Sequence, residues 1–99
     1  MNTLDPNIEI TQKLIIKDFQ MEDPGLVLSN LEKLRDWLTR EISILMDRDF
    51  QQLLNILYRI DVREEKVKQA FASQNPAYEI AGLIIGRELE KVKTREKYK

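Results

Sequence analysis

Asn75-Pro76-Ala77-Tyr78-Glu79-Ile80-Ala81-Gly82-Leu83-Ile84-Ile85-Gly86-Arg87-Glu88-Leu89-Glu90-Lys91-Val92 reads as a helix start followed by a helix too apolar to lie on a surface. The Asn75 side chain can accept from an orphan backbone N–H at the N-cap. Pro76 lacks an N–H that would have been unpaired anyway, and its φ is already helical. At about 100° per residue, Ala77, Ile80, Ala81, Leu83, Ile84, Ile85, Leu89 and Val92 cover roughly two-thirds of the circumference. Such a helix is covered on more than one side. It is either the central helix of its domain or part of an interface with another chain, and it is predicted to run to about Lys97.

Asp5-Pro6 and Asp23-Pro24 repeat the same start signal upstream. After Pro6, Ile8, Ile15 and Phe19 share one helical face, with Leu14 and Ile16 on its flanks. Ile8-Glu9-Ile10-Thr11 also alternates like a strand, but a lone strand without a partner is unstable, so helix is expected to about Phe19. A second helix is expected from Pro24, or from a Ser29/Glu32 capping box. Val27, Leu31, Leu34, Leu38, Ile42 and Leu45 come next at steps of three and four. Asp47 is the expected next N-cap, ahead of Phe50, Leu53, Leu54, Leu57 and Ile60. Asp61 with Glu64 forms a further capping box, opening a short helix through Val67, Ala70 and Phe71. Ser73-Gln74 is a loop.

The pattern predicts an all-α fold: one domain over residues 1–99, a compact bundle of four to five helices with the last helix long and central. Residues 1–23 form an N-terminal arm or helix, and residues 91–99 a basic helix end. At 99 residues, 42% hydrophobic and 33% charged, the chain has the composition of an ordinary globular domain.

The chain has no cysteine and no histidine. Disulfides, thiolate metal sites, thiol nucleophiles and imidazole bases are thereby excluded. No Gly-rich phosphate loop and no calcium loop occur. No catalytic residue, cofactor or metal is expected, and the chain is read as a non-enzyme. Met1 to Pro6 has neither a basic nor an apolar run, so a signal peptide is not expected. Apolar runs such as Leu83-Ile84-Ile85 are too short to span a bilayer. A cytoplasmic location without membrane contact is the expectation.

Charge is uneven. Residues 1–49 carry six basic and ten acidic side chains, whereas residues 50–99 carry ten and seven. Lys91, Lys93, Arg95, Lys97 and Lys99 supply most of the later excess. They suit the negative end of a helix dipole, or they offer an electrostatic contact to nucleic acid or an acidic partner. No zinc-finger spacing and no string of aromatic residues supports nucleic-acid binding. Gly82 and Gly86 fall in the narrow polar sector of the last helix. Each costs about 1 kcal/mol against alanine in an exposed helix. They mark a close backbone approach, such as that of a second copy, or drift tolerated by a well-buried helix. Arg87 and Glu41 fall inside apolar arcs. Arg87 either pairs with Glu41 or Asp61 or extends to solvent.

Leu57-Tyr58-Arg59-Ile60-Asp61-Val62, Glu64-Glu65-Lys66, Ile80-Ala81, Leu83-Ile84-Ile85, Arg87-Glu88-Leu89 and Lys91 to Arg95 together resemble a small family of bacterial all-helical proteins of unknown function. The resemblance covers residues 47–99. It implies a helical fold and no activity, cofactor or binding residue. Gly82 and Gly86 depart from that family, where polar or charged residues are expected. Within the run, Tyr58 to Asp61 reads as a helix end: Ile60 in the core, Tyr58 at its edge, Asp61 capping the next helix.

The functional expectation is a small non-catalytic cytoplasmic protein–protein interaction module, self-associating through its last helix. Its candidate contact residues are Gly82, Gly86, Lys91, Lys93, Arg95 and Lys97. The alternative is a nucleic-acid accessory protein using the basic C-terminal stretch.

Overall fold

A computed structural model describes residues 6–21, 25, 28 and 30–97, with Pro6, Glu96 and Lys97 described in backbone alone. Five helices occur among these residues and no strand: α1 (Pro6–Phe19), α2 (Leu31–Arg48), α3 (Phe50–Ile60), α4 (Glu64–Phe71) and α5 (Pro76–Lys97). The strand-like alternation at Ile8 to Thr11 is therefore helical. Ile8, Ile15 and Phe19 are buried and Leu14 and Ile16 half-buried, the distribution their helical spacing predicts.

Asn30 opens α2. Its Oδ1 accepts from the Lys33 N–H at 2.8 Å, so the helix begins neither at Pro24 nor at the Ser29 capping box. Asp5, Asp23, Pro24, Val27 and Ser29 themselves lie outside the described residues. Of the α2 stripe, Leu34, Leu38 and Ile42 are fully buried, while Leu31 in the first turn stays 45% exposed.

Asp49, not Asp47, separates α2 from α3. Its N–H donates to Leu45 O at 2.8 Å, closing one helix. Its Oδ1 accepts from the Gln52 N–H at 3.1 Å, opening the next. One residue with extended φ can serve both ends, whereas Asp47 is still within the last turn of α2. The apolar face of α3 then buries Leu53, Ile56, Leu57 and Ile60, leaving Phe50 exposed at its start.

Asp61 is a second correction. It ends α3 rather than capping α4. Its φ of 68° is left-handed, its N–H donates to Tyr58 O at 3.2 Å, and Val62 N–H donates to Leu57 O at 3.2 Å. This is a Schellman closure with aspartate in the place usually held by glycine. The N-cap of α4 is Arg63, which makes no side-chain cap bond. Tyr58 is 90% exposed, on the surface rather than at the core edge. The same closure ends α1, with Gln20 at φ 53° and Met21 N–H donating to Ile16 O at 3.2 Å.

α5 packs against all four other helices. It is the central helix, and Ile80, Ala81, Ile84 and Ile85 join side chains from α1 to α4 in one core. Each fully buried Ile or Leu contributes about 1.5–3 kcal/mol, and truncating a central one such as Ile84 to alanine costs about 2–5 kcal/mol. The over-wide apolar arc thus has an intrachain explanation. Leu83 and Leu89, at its edges, remain half-buried.

Candidate interaction site on the last helix

The outward face of α5 is a narrow ridge. Glu79, Gly82, Gly86, Glu90 and Lys93 are spaced at steps of three and four, so all lie within about 40° of the Gly86 direction. Of these, Glu79, Gly86, Glu90 and Lys93 are exposed and Gly82 is half-buried. Placing both glycines in the polar sector is therefore correct, but the two differ in surroundings.

Gly82 is covered by a side chain from α2. A Cβ at this position would stand 2.7 Å from Arg35 Nη2 and 2.8 Å from Arg35 Cζ. The guanidinium is fixed there by three contacts. Nε donates to Tyr78 O at 3.0 Å, Cζ sits 3.6 Å from the centroid of the Tyr78 ring, and Nη2 lies 3.9 Å from Glu79 Oε1. The close approach that glycine permits is thus made by an arginine of the same chain. Gly86 is different: nothing comes within 4 Å of its missing Cβ.

A groove flanks the ridge on each side. One, of about 620 Å³, runs between α5 and the α3–α4 joint and is lined by Asp61, Val62, Arg63, Lys66, Leu83 and Arg87 besides the glycines. Arg87 crosses it: its Nε donates to Asp61 O at 3.2 Å, and Nη2 lies 3.5 Å from Asp61 Oδ2. Nη1 also reaches Glu90 Oε1 at 3.3 Å. Of the two acids considered for Arg87, Asp61 is the partner. The other groove, of about 410 Å³, is more apolar and lies between α5 and the start of α2, lined by Leu31, Arg35, Ile85, Leu89 and Lys93. α2 runs antiparallel to α5, so Leu31 reaches the Leu89 end while Arg35 reaches Tyr78.

The basic residues do not act as one patch. Lys91 turns away from the ridge, with Nζ 3.4 Å from Glu88 Oε1. Lys93 lines the apolar groove. Arg95 is exposed at about 180° from Gly86 around the helix. The Lys97 side chain lies outside the described residues. The structure therefore joins Gly82, Gly86 and Lys93 and leaves Lys91 and Arg95 elsewhere.

Glu88, which the sequence shows only as a carboxylate neighbour of Glu90, has a burial that sequence reasoning missed. It is 1% exposed, on the α1 side of α5. Burial pushes its carboxyl above the ordinary value; the Asp18 carboxylate pushes the same way, and the Lys91 ammonium pulls against both. The signal was available, since Glu88 stands four residues after Ile84 and four before Val92, in the middle of a buried line. Arg35 left no such signal.

Among the described residues no group of three or more acidic side chains could hold a metal ion, and no helix is long and apolar enough to cross a membrane. Comparison with protein-family models, with curated proteins and with solved structures returned no match.

Proposed function

We propose that this chain is a small, non-catalytic protein–protein interaction module whose contact surface is the α5 ridge. The observation that carries the reading is Gly86. A glycine in a helix interior costs about 1 kcal/mol relative to alanine, and Gly82 offsets its share by admitting Arg35. At Gly86 the space is open, on an exposed turn with a groove on either side. An approaching helix or backbone segment would use that space, and the half-buried Leu83 and Leu89 beside it would lose their remaining contact with water.

The missing imidazole and thiol chemistry supports the non-catalytic part. So does the position of Glu88, which lines neither groove. The cytoplasmic setting expected from the sequence is kept as part of the proposal. The experiment is light scattering at low and high concentration, combined with retrieval of partners from native lysate by the immobilised chain and by its Gly86→Trp variant. Concentration-dependent association, or a partner lost with Gly86→Trp, is the expected result. A strict monomer that retains no protein would sink the reading.

A further inference from the structure

We infer that the ridge pairs with the same ridge of a second copy of this chain, antiparallel, about a dyad at Gly86. The inference rests on the interaction reading above and specifies its partner. The argument is charge complementarity. Along the outward face, the acidic Glu79 lies seven residues before Gly86 and the basic Lys93 seven residues after it. A dyad at Gly86 places each Glu79 opposite Lys93 of the second copy, twice by symmetry. Gly82, with the Arg35 guanidinium above it, falls level with Glu90 of the second copy, the two on opposite sides of the seam. The dyad keeps each groove on its own side of the seam, so Leu83 lies on the same side as Leu83 of the second copy and Leu89 on the same side as Leu89 of the second copy.

The partial commitments of these charges leave room for this. Glu79 keeps half its side-chain surface exposed despite Arg35, and Glu90 keeps 65% despite Arg87. Lys93 has no ion-pair partner among the described residues. A parallel arrangement would set Glu79 against Glu79 and Lys93 against Lys93. A nucleic-acid backbone would meet Glu79 and Glu90 on the same ridge as Lys93. From Glu79 to Lys93 the ridge is about 21 Å long. At a shallow crossing angle of about 20°, positions seven residues from the dyad stay within reach of long side chains.

The test uses the absence of native cysteine. Gly86→Cys places a lone thiol at the dyad, where mild oxidation is expected to link two copies efficiently because the backbones approach closely there. Sedimentation equilibrium then compares Glu79→Lys, Lys93→Glu and the double exchange, with circular dichroism to confirm that each variant is folded. Each single reversal is expected to weaken association about tenfold, and the double exchange to restore it. A dimer of unchanged affinity in all three variants overturns the antiparallel register and leaves the interaction reading standing. A monomer that instead binds another protein through Gly86 overturns self-pairing alone. A monomer with no partner of any kind ends both.

Discussion

The Arg35 guanidinium occupies the place where residue 82 would carry a side chain, 2.7 Å from the position of a Cβ. Forty-seven residues separate the two in sequence, and the contact ties α2 to the first turns of α5. The two glycines of α5 thereby have different consequences. Gly86→Ala adds a methyl to open space and is expected to stabilise the folded chain by about 0.5–1 kcal/mol. Gly82→Ala brings the same helix gain but displaces Arg35 from Tyr78, so its net effect is expected near zero. Urea denaturation of dilute protein measures both, and equal gains at the two sites would show that Arg35 is not held there.

Arg87 joins α5 to the end of α3 through the backbone carbonyl and carboxylate of Asp61. Asp61 is mostly exposed and Arg87 one-third exposed, so solvent screens the ionic part. Arg87→Met is expected to destabilise by about 0.5–1 kcal/mol, chiefly by removing a donor to an exposed helix-terminal carbonyl. The loss should persist at high salt, because the bond to a neutral carbonyl is not screened away. Denaturation curves at low and high sodium chloride separate the two contributions. An unchanged midpoint for Arg87→Met at both would exclude a stabilising role for this contact.

Glu88 makes stability depend on pH in a stated direction. Below the ordinary carboxyl value of 4.5 it is protonated in both folded and unfolded chains. As pH rises through that value, the unfolded chain releases its proton first, and folded stability falls. The fall ends once pH passes the raised folded-state value, above which the penalty is constant. Glu88→Gln keeps the shape without the charge and is expected to remove this part of the profile. It should be at least as stable as the parent at neutral pH, since the half-buried Lys91 ammonium compensates the buried charge incompletely. Thermal midpoints taken from below pH 4.5 upward provide the comparison. A steeper fall in Glu88→Gln than in the parent would contradict the assignment.

Gln20 holds a left-handed conformation at the end of α1, which costs a residue with a Cβ roughly 1 kcal/mol. Gln20→Gly is expected to raise stability by about that amount, less the entropy glycine adds to the unfolded chain. Asp61→Gly relieves the same strain at the end of α3 but removes the carboxylate facing Arg87, so a smaller gain is expected there. Calorimetric unfolding of the two variants would rank them, and a destabilised Gln20→Gly would mean that the Gln20 side chain makes contacts outweighing its strain.

Helical faces were legible in the chain because they depend on spacing alone. Ile8, Ile15 and Phe19, the line Leu34, Leu38 and Ile42, and the start of α5 at Pro76 all lie where periodicity and the proline signal predict. Caps were less legible where two acidic candidates stood close together. Asp47 and Asp49 have equal intrinsic claims, and the choice fell to the residue whose amide could still reach Leu45. Asp61 looked like an N-cap because Glu64 stands at the right distance after it. Its left-handed φ is set by how α3 must turn before α4 packs on α5.

The sequence by itself determined that helices form, roughly where they begin, and which side chains they turn inward, because hydrogen bonds four residues apart and the 3.6-residue period are local properties. Tertiary structure decided that the broad apolar face of α5 is covered by its own chain, that Glu88 is buried beside Asp18, and that Arg35 rather than a neighbouring backbone fills the space over Gly82. Those outcomes depend on atoms tens of residues apart being brought within a few ångströms, and no periodicity along the chain encodes which side chain arrives.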